Sequence, residues 1–194
     1  MQPLVFHEPL AEALFWLSVA LWGAVECWVI VHSNSAGSAA RDWTSSFLVL
    51  MLLASIVSSI LVAGHRLAPL PGPDWWPVAA GLTLVWAGIA FRLWAVFTLG
   101  SFFKTLVVIQ EGHSVVDRGP YRWLRHPSYS GMLATTVGLG LAEGDWISLA
   151  IMLFGPLIGL LVRIHVEERA LLRALGHEYA DYAQRTARLV PRVF

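Results

Sequence analysis

Cysteine is almost missing from this 194-residue chain: Cys27 stands alone. No internal disulfide can form from it, and no multi-cysteine zinc cluster can be built. Charge is scarce as well, at 13% of residues, and the thirteen basic and thirteen acidic side chains cancel. With no net charge and no basic tail, nothing draws the whole molecule toward nucleic acid. A GxGxxG turn after a strand, a phosphate-binding P-loop and a GxSxG nucleophile elbow are all missing. The opening MQPLVFHEPLAEA lacks a basic n-region, and the apolar run behind it is too long for a cleavable signal peptide. There is no internal repeat and no low-complexity tract.

Apolar surface is what the chain has in excess. Hydrophobic residues make up 57% of it, mean hydropathy is +0.63, and its ten tryptophans suit the aromatic belts of a membrane protein. Five apolar stretches, near 11–32, 44–63, 76–99, 128–142 and 146–162, are expected to be helices. The first three reach the roughly 20 residues that a membrane-spanning helix needs. The last two are shorter and only Glu143-Gly144-Asp145 separates them, so they read as a tight hairpin. The expected fold is therefore an all-α integral membrane protein with about five transmembrane helices and a cytoplasmic C-terminal helical segment. PLPGPDWWP at 69–77 is a turn-rich connector that no helix can cross.

Lys104, Arg118, Arg122 and Arg125, with the six arginines from 163 onward, make ten of the thirteen basic residues. By the positive-inside rule the 100–127 loop and the C-terminus face the cytoplasm and the N-terminus lies outside. Arg66, in the 64–75 loop, sits on the wrong side for this scheme. Composition shifts near residue 100. Residues 1–99 read as a three-span scaffold and residues 100–194 as the region that carries the chemistry, within one folding unit.

That chemistry gathers around RGPYRWLRHPSYSG at 118–131, a cationic, aromatic, turn-forming knot in front of an uncharged run. Pro127 suits the first turn of a helix, where its missing N–H costs nothing. The N–H groups that follow, with the helix dipole, favour an anionic group such as a carboxylate. Tyr121 and Tyr129 offer ring faces and hydroxyls. Arg163 and Glu167 are four apart, hence on one helical face. They read either as an ordinary ion pair at the membrane boundary or as ligand-binding groups facing a cavity. His113 and His126 lack a third ligand at metal spacing, so no metal site is expected. GLGLAEG at 138–144 is expected to be a close helix contact. In the last segment, Gly176 is a natural break, and Tyr179 and Tyr182 could fold a short helix back.

Taken together these motifs resemble the isoprenylcysteine carboxyl methyltransferase and phospholipid methyltransferase superfamily. The resemblance rests on His113 before Val115-Val116, Gly119-x-Tyr121, Arg125-His126-Pro127-x-Tyr129 and Glu167-Glu168, then Gly176-x-Glu178-Tyr179-x-x-Tyr182 and Arg188-x-x-Pro191. It covers roughly residues 100–192. Val115 stands where Leu is usual, and Leu175-Gly176-His177 replaces a commoner Phe-Gly-Glu.

The resemblance implies a membrane enzyme that uses S-adenosyl-L-methionine and releases S-adenosyl-L-homocysteine, its cofactor pocket roofed by the C-terminal segment. Carried over, the cofactor contacts are His113, Ser114, Val115, Val116, Tyr121, His126, Pro127, Ser128, Tyr129 and Glu167. Arg163 would meet the substrate, and Arg163 and Glu167 would be the catalytic pair. The first-choice substrate is a lipophilic carboxylate of isoprenylcysteine type arriving from the bilayer. A phospholipid amine or small thiol is the alternative, for which His126 or Glu168 would have to act as base. A nicotinamide-dependent membrane reductase and a non-enzymatic membrane scaffold are the readings from other classes. Membrane lipids are the expected surroundings, with no nucleic-acid partner, and the sequence leaves the oligomeric state open.

Overall fold

The computed structural model describes residues 3–33, 43–100 and 115–191, and the description below is confined to them. Six α-helices carry the chain: α1 (Pro9–Ser33), α2 (Trp43–Ala63), α3 (Trp75–Leu99), α4 (Pro127–Ala142), α5 (Trp146–Leu175) and α6 (His177–Arg185). Single 3-10 turns precede α1 at Leu4–Phe6 and α4 at Gly119–Arg122. Of these helices α1, α2, α3 and α5 are long and apolar enough to cross a membrane by length and composition. At 16 residues α4 rises about 24 Å, while the 30 residues of α5 rise about 45 Å, well past a hydrocarbon core of about 30 Å.

Small residues let the helices approach. Gly81 and Gly88 of α3 face Gly138 and Gly131 of α4 in antiparallel order, each pair seven residues apart and so on one helical face. A Cβ at Gly81 would stand 2.5 Å from the Ala142 amide nitrogen, and one at Gly131 would stand 2.7 Å from that of Arg92. Backbone touches backbone along this seam, which is how helices associate where no hydrophobic drive separates them from lipid. The same logic holds at Gly140, where a Cβ would meet Met152 of α5, and at Gly155, where it would meet the Ser55 hydroxyl of α2. The GLGLAEG run is thus a helix contact, as its glycines suggest. Outward faces stay apolar: Leu53, Val57 and Leu61 on α2 and Phe154 and Ile158 on α5 are exposed.

The two ends of the bundle are built differently. At one end the Glu143–Asp145 turn is stitched to its neighbours. Leu4 N–H reaches the Glu143 carbonyl, Leu70 N–H the Gly144 carbonyl, and Trp146 N–H the Ala68 carbonyl. Asp145 caps α5 by accepting from the Ile147 and Ser148 amides, and its other oxygen accepts from Ala68 N–H. At the opposite end Gly176, at a φ of 55°, breaks α5 from α6. The chain then returns across the start of α4: Arg125 N–H donates to the Ala187 carbonyl at 2.7 Å and His126 N–H to the Arg188 carbonyl at 3.1 Å. Tyr179 and Tyr182 are buried in that return, as their spacing suggests.

Candidate active site

The site is assembled where α4 begins and α5 runs past it. His126 precedes α4 and Pro127 occupies its first turn, as the sequence implies. The Tyr129 and Ser130 amides, however, turn back onto the His126 carbonyl at 3.0 and 3.1 Å. This helix start therefore presents fewer open donors than the sequence suggests. Its side chains do more than its backbone.

Tyr129 is the hinge of the arrangement. Its hydroxyl accepts from Arg163 Nε at 2.6 Å and donates to Glu167 Oε2 at 2.8 Å. The residues predicted to share one face of α5 are thus joined through a tyrosine on α4, and the Arg163 guanidinium also lies over the Tyr129 ring. Arg163 is only 3% exposed. Its Nη1 donates to Ser45 Oγ at 2.6 Å and Thr44 Oγ1 at 3.4 Å, both in the first turn of α2.

Behind this chain lies a second one. Glu168 accepts from Arg125 Nε at 2.8 Å and from Arg188 Nε at 3.0 Å. His126 Nε2 stands 3.5 Å from the same carboxylate, and the His126 ring stacks on Tyr129 with an interplanar angle of 8°. Arg125 also donates to the carbonyls of Ala183 and Thr186, which ties α6 down. Tyr182 completes the tie by donating to the Tyr121 carbonyl at 2.8 Å.

Tyr121 is buried, and burial first, then the Glu167 charge, push its phenol well above its ordinary value. Burial, then Glu168 and Glu167, raise Tyr179 likewise. Both stay protonated, so they serve as donors and ring surfaces rather than as bases. Val115 enters through its backbone, its N–H donating to Glu178 at 3.0 Å, and Val116 lies beside it, half-buried. His113 and Ser114 lie outside the described residues.

Two charged residues that the sequence motifs do not single out belong to the same region. Arg92, in the middle of α3, donates to Ser128 Oγ at 2.6 Å and to Glu26 of α1 at 2.5 Å. Trp22 Nε1 braces the other Glu26 oxygen at 3.0 Å. Each is a lone charge inside an apolar run, which is itself a sign of function. Thr44 and Ser45 gave no comparable signal.

The donor set suits a zwitterionic cofactor with an adenine ring. One buried polar atom of this cluster, the Tyr179 hydroxyl, has no hydrogen-bond partner among the described residues, and His126 Nε2 has only the Glu168 carboxylate at 3.5 Å. Buried polar groups are rarely left so, and a bound molecule is one way to satisfy them. Among the described residues no three His, Cys, Asp or Glu side chains are grouped to hold a metal ion.

Known proteins resemble this chain over much of its length. The family model for isoprenylcysteine carboxyl methyltransferase matches residues 81–173. Protein-S-isoprenylcysteine O-methyltransferase B of Arabidopsis thaliana is 31% identical over 169 residues, which cover 85% of this chain and 84% of the relative. The rat protein-S-isoprenylcysteine O-methyltransferase is 33% identical over 60% of this chain, and the match spans only 42% of its own length. The solved structure of a eukaryotic intramembrane Ras methyltransferase of this kind superposes with a TM-score of 0.71 at 22% identity, over 92% of this chain and 65% of that one. The chain belongs to the isoprenylcysteine carboxyl methyltransferase family, and it is an integral membrane protein.

Proposed function

We propose that this chain transfers a methyl group from S-adenosyl-L-methionine to the carboxylate of an isoprenylcysteine at the membrane surface. The observation that carries this reading is the Arg163–Tyr129–Glu167 chain. It sets a guanidinium and a carboxylate side by side at the mouth of an apolar helix pair. Family membership supplies the reaction class.

The cofactor supplies a methyl group on a positively charged sulfur. Glu167 would receive its ammonium or ribose hydroxyls, Tyr121 and Tyr129 would flank its rings, and His126, Pro127 and Ser128 would form the wall beneath. Val115 and Val116 would close a further side, and the family resemblance adds His113 and Ser114, which lie outside the described residues, to the cofactor contacts. Arg163 aligns the acceptor carboxylate. That carboxylate is already ionised at neutral pH and needs no base. Its oxygen takes the methyl as the carbon–sulfur bond breaks toward sulfur, giving an ester and S-adenosyl-L-homocysteine. Catalysis then rests on holding the reactants in line in a water-poor site. Of the two bases an amine or thiol acceptor could call on, Glu168 is occupied by Arg125 and Arg188, and His126 Nε2 faces that same carboxylate. This occupancy favours the carboxylate.

In this reading α4 is a fifth pass, paired with α5 as a tight hairpin. Residues 100–194 form the cofactor-binding and catalytic region on a support of residues 1–99, and Arg92, Thr44 and Ser45 are that support's contribution to the site. The site and C-terminus face the cytoplasm, the N-terminus lies outside, and the lipidated substrate arrives from the bilayer.

The test is calorimetric titration of the detergent-purified chain with S-adenosyl-L-homocysteine, with NADPH as control. Saturable binding of the first alone is expected, lost in Tyr129→Ala and Glu167→Ala. Arg163→Ala should still bind it while turnover of a farnesylcysteine substrate collapses. Normal binding and normal turnover in all three variants would sink the assignment.

A further inference from the structure

A second concave surface lies outside the site. Between the Arg122–Arg125 turn and the strap from α6 to Pro191 is a hollow of about 560 Å³, lined by Arg122, Arg125, Arg185 and Arg188 with Trp123 and Pro191. In a chain with no net charge this is a local concentration of cations. Glu168 serves both Arg125 and Arg188, and Asp117 serves Arg185 at 2.7 Å. Arg122 is exposed and has no partner among the described residues. Among the described residues four guanidinium groups line the hollow, and the carboxylates of Glu168 and Asp117 meet three of them. The Arg185 side chain is 61% exposed, so it stays open to a ligand despite Asp117.

The hollow also has an apolar rim. Trp123 is 56% exposed between two of the arginines, and Pro191 lines the hollow from the strap. Only Leu124, Arg125 and His126 separate Trp123 from the first residue of α4, so the hollow opens at the level where an apolar helix starts. A soluble anion would use the arginines and leave the tryptophan and proline idle. An amphipathic anion would use both. Guanidinium groups bind phosphate oxygens in paired hydrogen bonds, and basic pockets at the ends of membrane helices suit anionic headgroups.

We infer that this arginine-lined hollow beside the start of α4 binds the phosphate of an anionic phospholipid headgroup, with Trp123 and Pro191 against its glycerol and upper acyl chains. The inference goes beyond the methyl-transfer reading and does not depend on it. Arg125 and Arg188 form the inner wall and hold Glu168 from the other side, so the headgroup lies one side chain away from the cluster around His126.

The experiment exposes the full chain in detergent to equimolar phosphatidylglycerol and phosphatidylcholine and counts retained lipids by native mass spectrometry. Phosphatidylglycerol should be retained with a preference of about tenfold, given several guanidinium groups within reach of one phosphate. The double variant Arg122→Gln/Arg185→Gln should bring that preference to near unity while its thermal unfolding stays unchanged. If that variant does not fold, Arg122→Gln alone, at an exposed side chain, should lower the preference to about threefold. Equal retention of the two lipids, or an unaltered preference in the variants, overturns the proposal. Glycerol 3-phosphate that displaces the lipid at equal concentration would make this a site for a free phosphate and overturn the lipid reading. Displacement by micromolar hexaglutamate would assign the hollow to an acidic peptide, with the same consequence.

Discussion

Glu168 and Glu143 are both buried carboxyls of the α4–α5 pair, at opposite ends, and the protein treats them in opposite ways. Glu168, 9% exposed, is met by two arginines and a histidine from two stretches of chain. Glu143, 2% exposed, meets the Ser59 hydroxyl at 3.0 Å, and its Oε2 has no partner among the described residues. Burial, only partly offset by Ser59 and Ser148 and reinforced by Asp145, pushes the Glu143 carboxyl up to about 8. Below that pH it is a neutral acid donating or accepting hydrogen bonds. One end of the bundle thus holds its glutamate charge by surrounding it with counter-charge, while the other keeps its glutamate neutral beside Asp145, which backbone N–H groups satisfy. The end that meets a buried carboxylate with arginines is the one where the candidate site lies.

The largest break in this comparison comes from Glu168→Leu. It leaves Arg125, whose side chain is 10% exposed, buried without its counter-ion, at a cost of about 3 kcal/mol. Thermal unfolding in detergent should show the loss, and an unchanged midpoint would mean the arginines are solvated after all. Asp145→Ala comes next. It removes the cap of α5 together with the bond to Ala68 N–H, for about 1–2 kcal/mol by the same measurement.

Glu143→Gln sharpens the contrast with the smallest effect and the opposite sign. The folded carboxyl titrates above the unfolded one, so the native state holds the extra proton between them. Stability is therefore full below the unfolded value and falls as pH rises toward and through about 8. The variant should match the parent near pH 5 and exceed it by a few degrees in unfolding midpoint near pH 8.5. Parallel pH profiles would show that Glu143 is ionised throughout and that the contrast between the two ends is false.

Much of the fold is legible in the amino-acid sequence. Apolar runs mark α1, α2 and α3 because a helix in lipid must be apolar on nearly all sides. Pro127 marks a helix start because its ring fixes φ and it lacks an N–H, and Gly176 marks a helix end because glycine takes a φ of 55° without a Cβ clash. Arg163 and Glu167 share a face because helical spacing puts them there. Other features have no local signature. The Arg163–Tyr129–Glu167 chain needs α4 and α5 side by side. Thr44 and Ser45 reach Arg163 from across 118 and more residues of sequence. Hydropathy underestimates the length of α5, since its charged continuation past residue 162 is helical for packing reasons.

Arg92 and Glu26 lie between these cases. Each announces itself as a charge where charge is costly, but only the α1–α3 contact makes them partners and only the α3–α4 seam delivers Arg92 to Ser128. By itself the sequence determined the membrane class, the places where helices start and break, and the set of polar groups available for chemistry. These follow from local rules of hydropathy, backbone geometry and spacing. Tertiary structure alone decided which carboxyl is clamped and which is left neutral, and where four arginines share one hollow. Such outcomes depend on the dielectric and the partners around each group, which only close packing of distant segments creates.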